Sequence, residues 1–107
     1  MEIKDYQNYV NEGISSRYTL ELALLGLVGE VGEVCDVVKK HGIYPERFET
    51  ATQLQDKIID ELGDVMWQAF AVATVMGIPM DHILEYNINK LNERHGGVKI
   101  DETGGKR

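Results

Sequence analysis

Two pairs of carboxylates carry the chemical interest of this chain: Glu30 and Glu33 in GEVGEV, and Glu61 and Asp64 in DELGDV. Residues three apart on an α-helix lie about 60° apart around its axis, so each pair shares a face. Like charges placed this way repel by a few tenths of a kcal/mol, and no lysine follows Glu30 or Glu33 by four residues to offset them. If the two helices pack antiparallel, four carboxylates point into one groove. Hard oxygen ligands in that number suit Mg²⁺ or Mn²⁺ and leave coordination positions for water and phosphate. A di-iron carboxylate bundle would need Glu-x-x-His, and none of His41, His82 or His95 follows a glutamate by three. Acids at this spacing are also common on solvated faces. Here they stand among valines and glycines, or immediately before the most apolar stretch of the chain, and that setting puts a metal site on a par with a solvated face.

Polar residues share these lines. Lys40 comes seven residues after Glu33. Gln68 comes seven after Glu61 and four after Asp64, with Trp67 flanking it. Farther on, Asn87, Lys90 and Arg94 form one polar line at i, i+3 and i+7. Together they are candidate amide, ring and cation contacts to a nucleotide and its phosphates. A solvated face, or for Trp67 the core, accounts for any one of them equally well. Cys35 and the histidines are assigned structural roles.

Four helices must position these residues. Apolar spacing and capping signals predict them from about Ile3 to Ser16, from after Thr19 to His41, from near Thr52 to Met76, and from Pro79 to Arg94. Gly42, Gly77 and the Gly96-Gly97 pair are the expected stops. Gly26, Gly29 and Gly32 each cost the second helix on the order of 1 kcal/mol relative to alanine, which predicts a close approach by another backbone or a ligand. The run from Trp67 to Gly77 is polar only at Gln68 and Thr74. A helix apolar all round needs cover all round, so a partner chain is expected. The domain is therefore all-α over residues 1–95, a four-helix bundle-like unit completed by dimerisation (or a dimer of dimers), with 96–107 a mobile tail.

Length and charge set the outer limits. The chain has 107 residues, one domain's worth, with 18 Asp+Glu against 11 Lys+Arg and a net charge of -7. That sign argues against a nucleic-acid polymer as partner, since backbone binding needs clustered Lys and Arg. It leaves room for a small phosphate ligand bridged by a divalent ion. One cysteine cannot form an internal disulfide. No apolar run approaches the ~20 residues of a membrane span, and MEIKDYQNYV lacks a signal-peptide pattern, so the expected location is cytoplasmic.

The segments GLVGEVGEVCDVVKK, DELGDVMW and GIPMDHILEYNINKLNERHG resemble the MazG-like nucleotide pyrophosphohydrolases, an all-α superfamily that also holds dimeric dUTPases and dCTP pyrophosphatases. The resemblance implies hydrolysis of a nucleoside triphosphate (NTP or dNTP) between the α and β phosphates, giving the monophosphate and pyrophosphate. It implies that Glu30, Glu33, Glu61 and Asp64 hold Mg²⁺. Lys90 and Lys40 would then meet phosphate, and Asn87 the base or sugar. It also implies homodimers or homotetramers. Many members open the first motif with a doubled glutamate, and the leading position here is Gly29. That leaves Glu30, Glu33 or a metal-bound hydroxide as the base. The competing reading is a catalytically silent helical domain on the same scaffold that binds nucleotide or protein.

Overall fold

The computed structural model describes residues 1–47 and 50–96, so the predicted tail, apart from Gly96, falls outside the described residues. Four α-helices follow one another: α1 (Ile3–Gly13), α2 (Leu20–Ile43), α3 (Ala51–Val75) and α4 (Met80–His95), with a short 3₁₀ turn at Pro45–Arg47. The local chemistry of their starts is orthodox. Thr19 caps α2 by accepting from the Leu22 N–H at 3.2 Å. Thr50 and Gln53 form a reciprocal capping box on α3, each side chain accepting from the other's backbone N–H at 3.2 Å. Gly42 does not end α2. The helix runs through it to Ile43, and its last bond is Tyr44 N–H to the Lys40 carbonyl at 2.7 Å. The first helix stops at Gly13, one turn before the expected end.

α3 closes in a Schellman motif. Gly77 adopts φ +71°, a left-handed conformation that suits glycine, and this lets Gly77 N–H reach the Thr74 carbonyl (3.0 Å) and Ile78 N–H the Ala73 carbonyl (2.9 Å). The chain then turns through 103° into α4. Pro79 has no side-chain acceptor to cap α4, and the task falls to Gln7 of α1. Its Oε1 accepts from Met80 N–H at 2.8 Å, while its Nε2 donates to the Ile78 carbonyl (2.9 Å) and to Thr74 Oγ1 (3.3 Å). One amide thus ties α1 to the turn that aims α4.

α2 packs along α3, while α1 lies against α3 and the start of α4. The core comprises Val10, Ala23, Phe70, Ala71, Ala73 and Met80. Of the run from Trp67 to Gly77, expected to need a partner, the stretch to Val75 has no exposed residue, packed as it is against the core within the chain. Met76 and Gly77 at its end are exposed. Most of the uncovered apolar surface lies elsewhere. At about 3.6 residues per turn, Leu24, Val31 and Val38 of α2 and Leu62 and Met66 of α3 fall on one side of the helix pair. They are 44 to 51% exposed. Among the described residues no single helix is long and apolar enough to cross a membrane.

Gln7→Ala removes three hydrogen bonds and leaves the Met80 N–H without its cap. A loss of about 2 kcal/mol is expected in urea denaturation, with Gln7→Glu intermediate because it keeps the acceptor.

Candidate functional site

The antiparallel register of α2 on α3 builds the site. Gly26 lies against Gln68; a Cβ on Gly26 would stand 2.6 Å from the Gln68 Oε1, so a larger residue there would displace the amide from its present position. Four residues on along α2, and four back along α3, Glu30 meets Asp64. Carboxylate oxygens of Glu30, Glu61 and Asp64 lie within 4.8 Å of one another. Glu30 and Glu61 are half-buried and Asp64 is exposed. Glu33 is exposed and stands outside this trio, close enough to act on Glu61 by charge.

The Glu61 carboxyl is raised above the ordinary glutamate range, first by partial desolvation and then by the charges of Asp60, Glu33, Asp64 and Glu30. Three hard oxygens from two rigid helices, converging where their own repulsion is unrelieved, fit a divalent cation of the Mg²⁺ or Mn²⁺ type.

The other predicted contacts divide. Gln68 is held in the groove one turn from Asp64, its Oε1 accepting from the Tyr18 hydroxyl at 2.7 Å. Trp67 belongs to the packing: it meets Tyr18 edge-on (6.3 Å, 85°), and its ring lies 3.4 Å from where a Gly13 Cβ would be. Lys40 pairs with Asp36 at 2.8 Å, and this hydrogen bond holds the Asp36 carboxyl below its ordinary value. Asn87, Lys90 and Arg94 sit on α4, which makes no packing contact with α2, so within one chain they do not join the acids. Cys35 is exposed on α2 rather than packed. Gly29 and Gly32 face open space, and only Gly26 of the three glycines meets another element.

Tyr18 is the site-forming residue that spacing did not reveal. It precedes α2 by two positions and meets a side chain 50 residues away. Tyr6, edge-on to Phe70 at 4.8 Å, also reaches the acids' field: burial, then Tyr9 and Asp64, raise its hydroxyl. Clefts of about 350 and 330 Å³ open against α1, and neither is lined by an acid of the cluster.

Residues 18–99 match the MazG nucleotide pyrophosphohydrolase domain. The chain belongs to this family. Among known proteins it is similar to the "Gene 37 protein" of Mycobacterium phage L5, with 35% identity over 89 residues, covering 82% of this chain and 76% of the phage protein. No solved structure matches it. The MazG match spans both acidic motifs, the Gln68 position and the α4 polar line. It therefore takes in the whole groove.

Because the folded-state pKa of Glu61 is raised, the native chain binds this proton more tightly than the unfolded chain does. Its contribution favours folding at low pH and is lost as pH rises from the ordinary glutamate value through the raised one. In metal-free buffer Glu61→Gln is therefore expected to raise the melting temperature at pH 7. At pH 4 the gain shrinks.

Proposed function

We propose that this chain hydrolyses nucleoside triphosphates, NTP or dNTP, at the bond between the α and β phosphates, releasing the monophosphate and pyrophosphate. The observation that carries the reading is the convergence of Glu30, Glu61 and Asp64 in a member of the MazG family. Those three carboxylates would hold Mg²⁺, or Mn²⁺ in its place. A bound divalent ion supplies charge neutralisation for the phosphates and lowers the pKa of water at the site.

The chain's own groups do the rest. Glu33 stands one turn from Glu30 and outside the converging trio. It is the carboxylate left to take the proton of the attacking water, in a motif whose leading position is Gly29. Gln68, fixed by Tyr18, offers its amide one turn from Asp64, where the nucleoside would lie. The exposed apolar side of α2 and α3 supports a homodimer or a larger even assembly.

A panel of NTPs and dNTPs incubated with Mg²⁺ is expected to give NMP and pyrophosphate, with no product in excess chelator. Glu30→Gln and Asp64→Asn should abolish both turnover and the Mg²⁺-induced rise in melting temperature. Glu33→Gln should keep that rise while lowering kcat by about 10²- to 10⁴-fold, the usual worth of a positioned base. NDP in place of NMP, or turnover unchanged in Asp64→Asn, would refute the assignment.

A further inference from the structure

Gln68 is a neutral, half-buried amide beside the acid cluster, and the contacts that hold it give it a direction. The second helix supplies its seat. Oε1, Cδ and Nε2 of the amide lie 2.6 to 2.9 Å from where a Cβ on Gly26 would stand, so the whole group rests on the backbone of α2. Glycine weakens a helix interior, and at this position it opens the space that the amide fills.

Tyr18 supplies the direction. Its hydroxyl donates to Gln68 Oε1 at 2.7 Å. The residue that carries this hydroxyl is itself held: it is half-buried, its ring meets Trp67 edge-on, and its N–H is bound to the Ser15 carbonyl at 3.0 Å. An amide has an acceptor oxygen and a donor nitrogen, and engaging one end fixes what the other offers. The oxygen of Gln68 is used within the protein. Its Nε2 has no acceptor among the described residues and is not sealed from solvent. A flipped amide would turn Nε2 toward Tyr18 and take the acceptor away from the hydroxyl proton. The acids act in the same direction. Tyr18 stands before α2, whereas Glu30 lies ten residues beyond Leu20 at its start, so the oxygen is drawn toward the end of the helix pair away from the carboxylates. Side-chain amide dipoles orient in the local field, and negative charge favours the end that carries N–H.

Gln68 therefore presents a donor about 6 Å along α3 from Asp64, one helical turn away. Such a donor sorts bases. Uracil, thymine and guanine carry a carbonyl oxygen at position 4 of the pyrimidine or position 6 of the purine, and cytosine and adenine carry an amino group there. The oxygen accepts from Nε2. The amino group sets its own N–H against it, and both donors are left without a partner.

We infer that Gln68 determines base specificity by donating from Nε2 to the keto oxygen of the substrate's base, and that Tyr18 is the positioning residue that fixes this polarity. The groove then takes keto-base triphosphates in preference to amino-base ones. This rests on the pyrophosphohydrolase reading and adds to it the class of base.

Matched triphosphates test it: dUTP against dCTP and dGTP against dATP, each read as kcat/KM with Mg²⁺. The members of a pair differ little in size, so their ratio isolates polarity. The wild type is expected to favour the keto member of each pair by about tenfold, the worth of one hydrogen bond made rather than lost. Tyr18→Phe keeps the ring against Trp67 but frees the amide to turn, and the ratio should fall toward one, mainly through KM. Gln68→Glu keeps an acceptor for Tyr18 and replaces Nε2 by a second acceptor, which should reverse the preference. The Mg²⁺-induced rise in melting temperature should persist in Tyr18→Phe, which separates lost polarity from lost fold. Should that variant fail to fold, Gly26→Ala carries the same comparison, since the flexible end of Gln68 can yield to the added Cβ. A wild type that turns over both members of each pair equally, or favours the amino member, overturns the inference alone. So does a keto preference that survives either the loss of the Tyr18 hydroxyl or Gln68→Glu. A wild-type protein silent on every triphosphate overturns the pyrophosphohydrolase reading, and the inference with it.

Discussion

Mutual repulsion among Glu30, Glu61, Asp64 and the neighbouring Glu33 is the constraint around which this chain is built. Nothing polar among the described residues relieves it, as the raised Glu61 carboxyl records. The acids are held together by packing that has no charge in it. In the antiparallel register that sets Glu30 beside Asp64, Ala23 falls opposite Ala71, and both have no exposed surface. Small residues there let the two helices come close, and Gly26 makes the clearance that seats Gln68. A one-residue slip would rotate each acid by about 100° and scatter the cluster. The register is therefore a condition of the site, and the apolar core sets it.

The remaining elements stabilise this pair and then depart from it. α1 covers the far side of α3 with Val10 and with Tyr6, edge-on to Phe70. Its Gln7 spends every polar atom of its amide on the turn after α3. Because this amide stands in for the cap that Pro79 lacks, the direction of α4 depends on a helix more than 70 residues earlier in the chain. The stability of α1 and the placement of the α4 cations are thus one problem, solved at one side chain.

The helices were legible because their signals are local. Thr19, Gly77 and Gly96 act within a few residues, and apolar periodicity fills the spans between them, whereas the Thr50 cap of α3 stands two residues before the predicted start. Gly42 misleads because a glycine stops a helix only where the next residues accept a turn, and here Ile43 and Tyr44 continue the ladder. The acid cluster was legible because two i, i+3 pairs and an antiparallel connection suffice to bring it together. That Glu33 stays outside the trio depends on the rotation of α2 against α3, which the spacing leaves free. The Tyr18–Gln68 bond, the bend at Gly77 and the emptiness beyond Gly29 and Gly32 are tertiary facts with no periodic trace. The uncovered apolar side was foreseen in kind, but most of it lies outside the Trp67–Gly77 run. Periodicity shows how much of a helix is apolar, whereas topology decides that α1 and α2 cover Trp67–Val75 and leave Leu24, Val31 and Leu62 bare.

The unrelieved charge also bears on the order of binding. A triphosphate carries several negative charges, and the groove that would receive it is acidic in a chain of net charge -7. On the proposed reading the anion and the acids share no favourable contact until a divalent ion lies between them. Metal and substrate must then raise each other's affinity by the same factor. Ion and nucleotide would each relieve one part of a single repulsion. A chain that left its carboxylates better neutralised would fold more easily on its own. It would also respond less to either of them.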